Sequence, residues 1–437
     1  MTIIFGLIAL CILLFSVVRI SEGVALYLLY FFLIPFFKLD LGISLQYNFA
    51  NTILLLSFLY HFKIREKIIL DWKPLIPFFI LYALFLLAMF FQKEIPFSYM
   101  LNKWRLSFMI TLLLPIVIWN LIVLDNDNLL RFKKVLYLVI GVATVYGIIL
   151  TLIPGQNPYI EVMSEMNDME FDDRYLTPDG RLFGRISSVF LHPMTYGLFL
   201  GLSAIYLFMT RENIPPIVYR ILMSLVVINM ITCGVRSVIG GVVVAGLFFL
   251  ISNWKLKYIL YFLGSLVAAR VLLSLTPDLL DYLSSIADIN NSTGNVQGSS
   301  FDMRLLQLAG CFDEIGGNLL WGNGYSWHVY YLENFDEHPI ILAFESLIFV
   351  TLCDSGIMGF VFWIVFVSFL VKYVSKYLGE TRKIATLLVF YISYSCITGE
   401  YNYMKYFIIF FVILAGEYLV ENSLQNTQEN IQNEESV

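Results

Sequence analysis

Arginine is the residue type with which this chain most plainly offers chemistry. Two long polar stretches, 154–187 and 277–338, contain no lysine and are rich in Asp and Glu, yet they carry Arg174, Arg181, Arg185 and Arg304. Arg236 sits at a short turn between two apolar runs, and Arg270 lies inside another. A guanidinium presents a rigid planar fork of donors that matches phosphate or carboxylate oxygens, which the point charge of lysine does not. Arginine chosen over lysine therefore points to an anionic ligand. The competing reading is that each arginine pairs with a neighbouring acid or reaches toward lipid headgroups. It is strongest for Arg174, which follows Asp172 and Asp173.

Histidines and acids form the second set. No two of His61, His192, His328 and His338 share the i, i+4 spacing of a metal site, and no His-plus-carboxylate cluster suggests zinc. His338 ends the longest polar stretch, in YLENFDEHPIILAFES, where the chain turns apolar again. An imidazole with a pKa of about 6.5 accepts a proton at neutral pH; the alternative is an interfacial histidine with a merely polar tip. His192 precedes Pro193 at a helix start, a pattern that predicts a cap, and His61 falls at the end of an apolar run. Glu345, Asp354 and Glu400 border apolar segments, each a partner for a buried arginine or an alternative base. Gly316–Gly317 and Gly322–Asn323–Gly324 are turn signals. The aromatics after them, Tyr325, Trp327, Tyr330 and Tyr331, suit either an interfacial belt or a surface for stacking sugars.

Composition says which elements must hold these residues. The chain is 59% hydrophobic and 14% charged, with a mean hydropathy of +0.79, where a soluble domain carries about 25% charged residues. Apolar runs such as 134–153 and 236–252 match the roughly 20 residues that cross a hydrocarbon core as a helix, and they lack the alternation of barrel strands. The predicted fold is all-α: a polytopic membrane protein with about 12–13 transmembrane helices and a large helical extracytoplasmic loop. Spans are expected near 2–18, 24–38, 47–61, 74–91, 105–124, 134–153, 188–209, 215–232, 237–252, 258–276, 350–372, 383–398 and 402–418. The first is read as a retained span, since no basic n-region or cleavage site accompanies it. The net charge of −6, without a basic tract, argues against a nucleic-acid partner. Five cysteines without CxxC spacing argue against a disulfide framework.

Lys and Arg in the short loops set the orientation. Lys63, Arg65, Lys67 and Lys73, then Arg131, Lys133 and Lys134, then Lys255 and Lys257, then Lys372, Lys376, Arg382 and Lys383 all fall on one side, taken as cytoplasmic. The exception is 92–105, an outer loop with Lys93, Lys103 and Arg105. The organisation expected is a set of N-terminal transmembrane helices (1–153), a first extracytoplasmic loop (154–187), central transmembrane helices (188–276) and the main extracytoplasmic loop (277–338). An interfacial helix with further spans (339–419) and a disordered cytoplasmic tail (420–437) follow. The chain is expected in the cytoplasmic (inner) membrane, its active site facing the periplasm or exterior.

The arginines are then outside, where nucleotide-activated sugars are not normally available, and beside helices able to cradle a lipid tail. A lipid-linked diphosphate satisfies both conditions. Arginines would stabilise its departure while a base deprotonates the acceptor hydroxyl, and such a direct displacement inverts the anomeric configuration. The stretches GRISSVFLHPMTYGLFLGL (184–202), TCGVRSVIGG (232–241), FDMRLLQLAGCFDEIGGNLLWGNGY (301–325) and EHPIILAFESLIFVTLCDSGIMGF (337–360), in that order, resemble the O-antigen ligase/polymerase superfamily. The likeness covers 184–372 and departs from the family at His338–Pro339, where His-Asn is usual.

The resemblance implies a membrane glycosyltransferase with no metal and no cofactor. Its donor would be an undecaprenyl-diphosphate-linked glycan and its acceptor a glycan, with membrane lipids, a chain-length regulator and a flippase as partners. By this likeness Arg236, Arg304 and Arg185 bind the diphosphate and His338 activates the acceptor; Arg270, Glu345 and Arg181 support them. A polymerase of lipid-linked repeat units is favoured. A ligase, passing the glycan to a lipid A core or a protein, would use the same donor site. A lipid-linked sugar flippase would instead need charges along several helices and a two-fold repeat, and no repeat is visible.

Overall fold

The computed structural model describes residues 2–34, 38–40, 44–46, 54–61, 70–153, 155–165, 184–253, 260, 264, 301–335, 337–379, 381–399 and 403–435. Among them the chain is helical almost throughout. In order come α1 (Thr2–Val18), α2 (Ile20–Leu33), α3 (54–61), α4 (Ile76–Ala88), α5 (Phe97–Leu124), α6 (Asn126–Leu152) and the short α7 (Pro158–Glu165). Then follow α8 (Pro193–Met209), α9 (Pro216–Thr232), α10 (Arg236–Asn253), α11 (Phe301–Ile315), α12 (Trp327–Phe335), α13 (Leu347–Tyr377), α14 (Thr381–Thr398) and α15 (Met404–Glu435). The strands among the described residues form a small antiparallel pair, Lys38–Asp40 with Ser44–Gln46, in register Leu39 to Leu45. Four helical stretches, Lys73–Phe91, Phe97–Leu124, Asn126–Leu152 and Leu347–Tyr377, are long and apolar enough to cross a membrane. The run at 258–276 lies outside the described residues except for 260 and 264, and Arg270, Arg174, Arg181 and Glu400 lie outside them too.

Burial ranks the helices. Every residue of α15 from Tyr406 to Ala415 is buried, and so is every residue of α5 from Thr111 to Ile122. A helix apolar on all sides belongs in the interior, and α15 forms the axis. Rings knit its neighbours to it: Phe199 of α8 to Phe410 at 6.0 Å, Tyr391 of α14 to Phe407 at 4.7 Å, and Phe78 of α4 to Phe411 at 5.7 Å. The outward faces are apolar too. Leu138, Val142, Val145, Ile149 and Leu152 form an exposed stripe along α6, and Ile357, Val361 and Ile364 one along α13. Their spacing is helical, on the side where a water-facing helix carries charge.

Two expectations are corrected. The stretch 339–349 is not an interfacial helix: 338–345 fold into a turn in which Leu342 and Phe344 take φ of 57° and 54°, and helix begins only at Leu347, where the Ser346 hydroxyl accepts from Ile348 N. Pro339 lacks an amide, and the His338 ring takes the amides of Ile340 and Ile341 instead. The tail is not irregular either. Residues 420–435 continue α15, with no Gly or Pro after Gly416 to stop a helix.

The longest helix outside the axis, α13, is broken inside. Gly356 has φ 59° and ψ −152°, a combination open only to glycine. The break strips backbone groups of their helical partners, and the turn after α11 replaces them. Asn323 N donates to Cys353 O (2.8 Å) and Gly324 N to Asp354 O (3.0 Å), while Ile357 N donates to Leu319 O and Met358 N to Leu320 O, both at 3.0 Å. Two backbones meet here with no room for side chains, since a Cβ on Gly322 would stand 2.5 Å from Ser355 N. All four bonds obey the rule that buried backbone must be paired.

Candidate functional site

Three of the predicted arginines come together at one end of α14. Arg304 on α11 donates through Nη1 to Glu345 O (2.9 Å) and Gln307 Oε1 (3.3 Å), and through Nη2 to Ile397 O (3.3 Å) near the last turn of α14. The Glu345 carboxylate lies 3.9 Å from Nη2. Arg185 lies in the strand-like lead to α8; Ile186 N beside it donates to Cys233 O at 3.1 Å, and Gly234 lies against the backbone of Gly184 and Arg185. Two residues on, Arg236 opens α10, which packs along α14, and Arg185 lies within electrostatic reach of Tyr394 on α14. Each guanidinium is half-buried. The carbonyl end of a helix draws cations by its dipole, so α14 explains part of this gathering. The arginines gathered there come from three separate segments, 184–186, 233–237 and 301–307.

A second cluster stands on the other face of α13. Asp354, 7% exposed, accepts from Ser326 N (3.0 Å) and His328 Nδ1 (2.8 Å) at Oδ2 and from His328 N (2.9 Å) at Oδ1. The carboxylate can only accept, so Nδ1 carries a proton, and in the tautomer this bond selects the lone pair falls on Nε2. No described residue bonds that nitrogen. His328 and Asp354 line a cavity of about 390 Å³ together with Tyr82, Lys103, Tyr325 and Trp363, a size usual for small-molecule sites. Gln92 braces its rim, donating to Trp321 O (2.7 Å) and Asp354 O (2.9 Å) and accepting from Tyr325 N (3.0 Å). Lys103 bonds Glu333 of α12 at 2.7 Å, and this bond holds the Glu333 carboxyl below its usual range. The basic stretch 92–105 and the acidic loop 301–338 thus meet at one end of the molecule.

The cavity and the arginine cluster are joined through the chain. Leu347, two residues from Glu345, lines the cavity, as does Met404; the ring of the preceding Tyr403 lies 6.0 Å from that of Tyr394.

His338 is 3% exposed, with both ring nitrogens engaged. Nδ1 accepts from Ile340 N (3.0 Å) and Ile341 N (2.9 Å), which leaves the proton on Nε2, 3.0 Å from Glu314 Oε1. The lone pair a base requires is occupied by the turn. His192 caps α8 as expected, accepting from Met194 N at 3.2 Å, and the His61 ring lies 2.8 Å from Val17 O. The Asp354–His328 pair had one sequence signal: an acid inside an apolar run is costly and demands a partner.

Comparison with known proteins finds no matching family model and no matching curated protein.

Proposed function

We propose that this chain is a multi-pass membrane glycosyltransferase. It transfers a glycan from a polyprenyl diphosphate to a carbohydrate hydroxyl on the non-cytoplasmic face, extending lipid-linked repeat units. The observation that carries the reading is the convergence of Arg185, Arg236 and Arg304, from three separate segments, at one end of α14. Three guanidiniums set against a departing diphosphate neutralise charge where it develops, and a cavity with aromatic and polar lining lies on α13, the helix that begins two residues after the Arg304 partner Glu345. The membrane part of the reading is supported by four sufficiently long apolar helices and by the apolar outward faces of α6 and α13.

The test is turnover by the purified protein with lipid-linked oligosaccharide extracted from the cells that make it. A ladder of longer products is expected; product formed only after a lipid or protein acceptor is added would make the enzyme a ligase, and no product would overturn the reading. Arg236→Ala and Arg304→Ala should each lower turnover by about 10²–10³-fold, the scale of losing one charge-stabilising donor.

A further inference from the structure

We infer that the cavity between α4, α5, α12 and α13 is the acceptor subsite, with His328 as its general base and Asp354 as the residue that orients it. This rests on the glycosyl-transfer reading and moves the proton-accepting role away from His338.

His328 is held by one ring nitrogen and keeps the other as an open acceptor among the described residues. Asp354 fixes the His328 ring by the Nδ1 bond at 2.8 Å and also takes the His328 amide, so both the angle and the tautomer of the imidazole are set. A carboxylate that holds Nδ1–H in this way orients a base and stabilises the imidazolium it becomes. With Nδ1 committed, Nε2 is the nitrogen left to meet a bound hydroxyl, and His328 lines the cavity. The other walls suit a sugar: Tyr82, Tyr325 and Trp363 among them are aromatic, and Lys103 and Thr351 are polar. The proton of the acceptor hydroxyl passes to Nε2 as its oxygen bonds the anomeric carbon. The bond from that carbon to the diphosphate oxygen breaks, and its electron pair leaves with the diphosphate. His328 then releases the proton to water.

Asparagine can keep a donor near the place of Nδ1 while removing Nε2, so His328→Asn separates base from scaffold. In the lipid-linked oligosaccharide assay it should lose about 10²–10⁴-fold in kcat, the range of a general base, with unfolding temperature close to wild type. Asp354→Asn should lower kcat with little change in acceptor KM, because an amide facing Nδ1 selects the wrong tautomer. Wild-type turnover by His328→Asn would sink the base assignment alone; wild-type protein that makes no product would sink the glycosyl-transfer reading, and the base with it. Should His328→Asn not fold, acylation of wild type by diethyl pyrocarbonate decides. Peptide mass spectrometry should find His328 modified, more slowly when the lipid-linked oligosaccharide is present, and a rate unaffected by it would overturn the subsite.

Discussion

Two carboxylates are buried, Glu417 on α15 and Asp354 on α13, and they are finished differently. Glu417, 3% exposed, takes Lys133 Nζ (3.1 Å) and the Tyr206 hydroxyl (2.7 Å) on Oε1 and Asn213 Nδ2 (3.0 Å) on Oε2. Its charge ends on a lysine, and the network closes. About 20 Å away along the same helix, at 1.5 Å per residue, Met404 borders the cavity where Asp354 ends on His328. An imidazole has two nitrogens, so that network closes on one side and stays open on the other. A closed buried network holds elements together, whereas an open one presents an oriented imidazole to whatever enters the cavity.

The comparison breaks most decisively at the closed end. Glu417→Ala leaves Lys133 buried without its counter-charge, which costs about 3–5 kcal/mol. Denaturant unfolding of the purified protein should show that loss, with turnover per folded molecule unchanged. Lys133→Met combined with Glu417→Leu should recover most of it; a single variant as stable as wild type would mean the network does not bind the helices. Gly356→Ala comes next. Its φ and ψ strain a side chain by about 1–3 kcal/mol, and the new Cβ would meet Leu319 O at 2.5 Å. Because that contact carries the turn that presents Ser326 and His328 to Asp354, turnover per folded molecule should fall here, unlike at Glu417.

Much of the helical scaffold was legible because apolar runs announce themselves by length, and His192 as a cap because Pro193 follows it. The break in α13 was not: Gly356 sits in an unbroken apolar stretch, and only the docked 318–324 turn lets the backbone leave the helix there. The arginine cluster was half legible. Residue type marked Arg185, Arg236 and Arg304, but their meeting place depends on contacts such as Arg304 to Ile397, 93 positions apart. Asp354 was visible as an acid needing a partner, but the partner the sequence suggested was a buried arginine, and only the turn at 322–326 brings His328 to it instead.

His338 offers a smaller and sharper contrast with His328. Alanine at 338 strands the amides of Ile340 and Ile341, a loss of about 1–3 kcal/mol. Asparagine can accept from the following amides as in an Asx turn, so His338→Asn should regain most of the stability and turnover that His338→Ala loses. If both variants are equally inactive while folded, His338 has chemistry beyond the turn, and the assignment to His328 weakens.

The smallest effect lies at the exposed pair Lys103–Glu333, whose side chains are 26% and 49% exposed. Such pairs are worth about 0–1 kcal/mol. The Lys103 hydrogen bond, first among several causes, lowers the Glu333 carboxyl in the folded protein, so between its folded and unfolded values the unfolded chain holds more protons. The contribution is therefore complete above the ordinary glutamate range and fades as pH falls through the lowered folded value. Lys103→Met should melt slightly below wild type at neutral pH, and the gap should close on acidification. A gap that widened in acid would mean Lys103 stabilises the fold through something other than this carboxylate. Since Lys103 also lines the cavity, the same variant separates its two surroundings: a lowered melting temperature reports the tie to α12, and a raised acceptor KM reports contact with what the cavity holds.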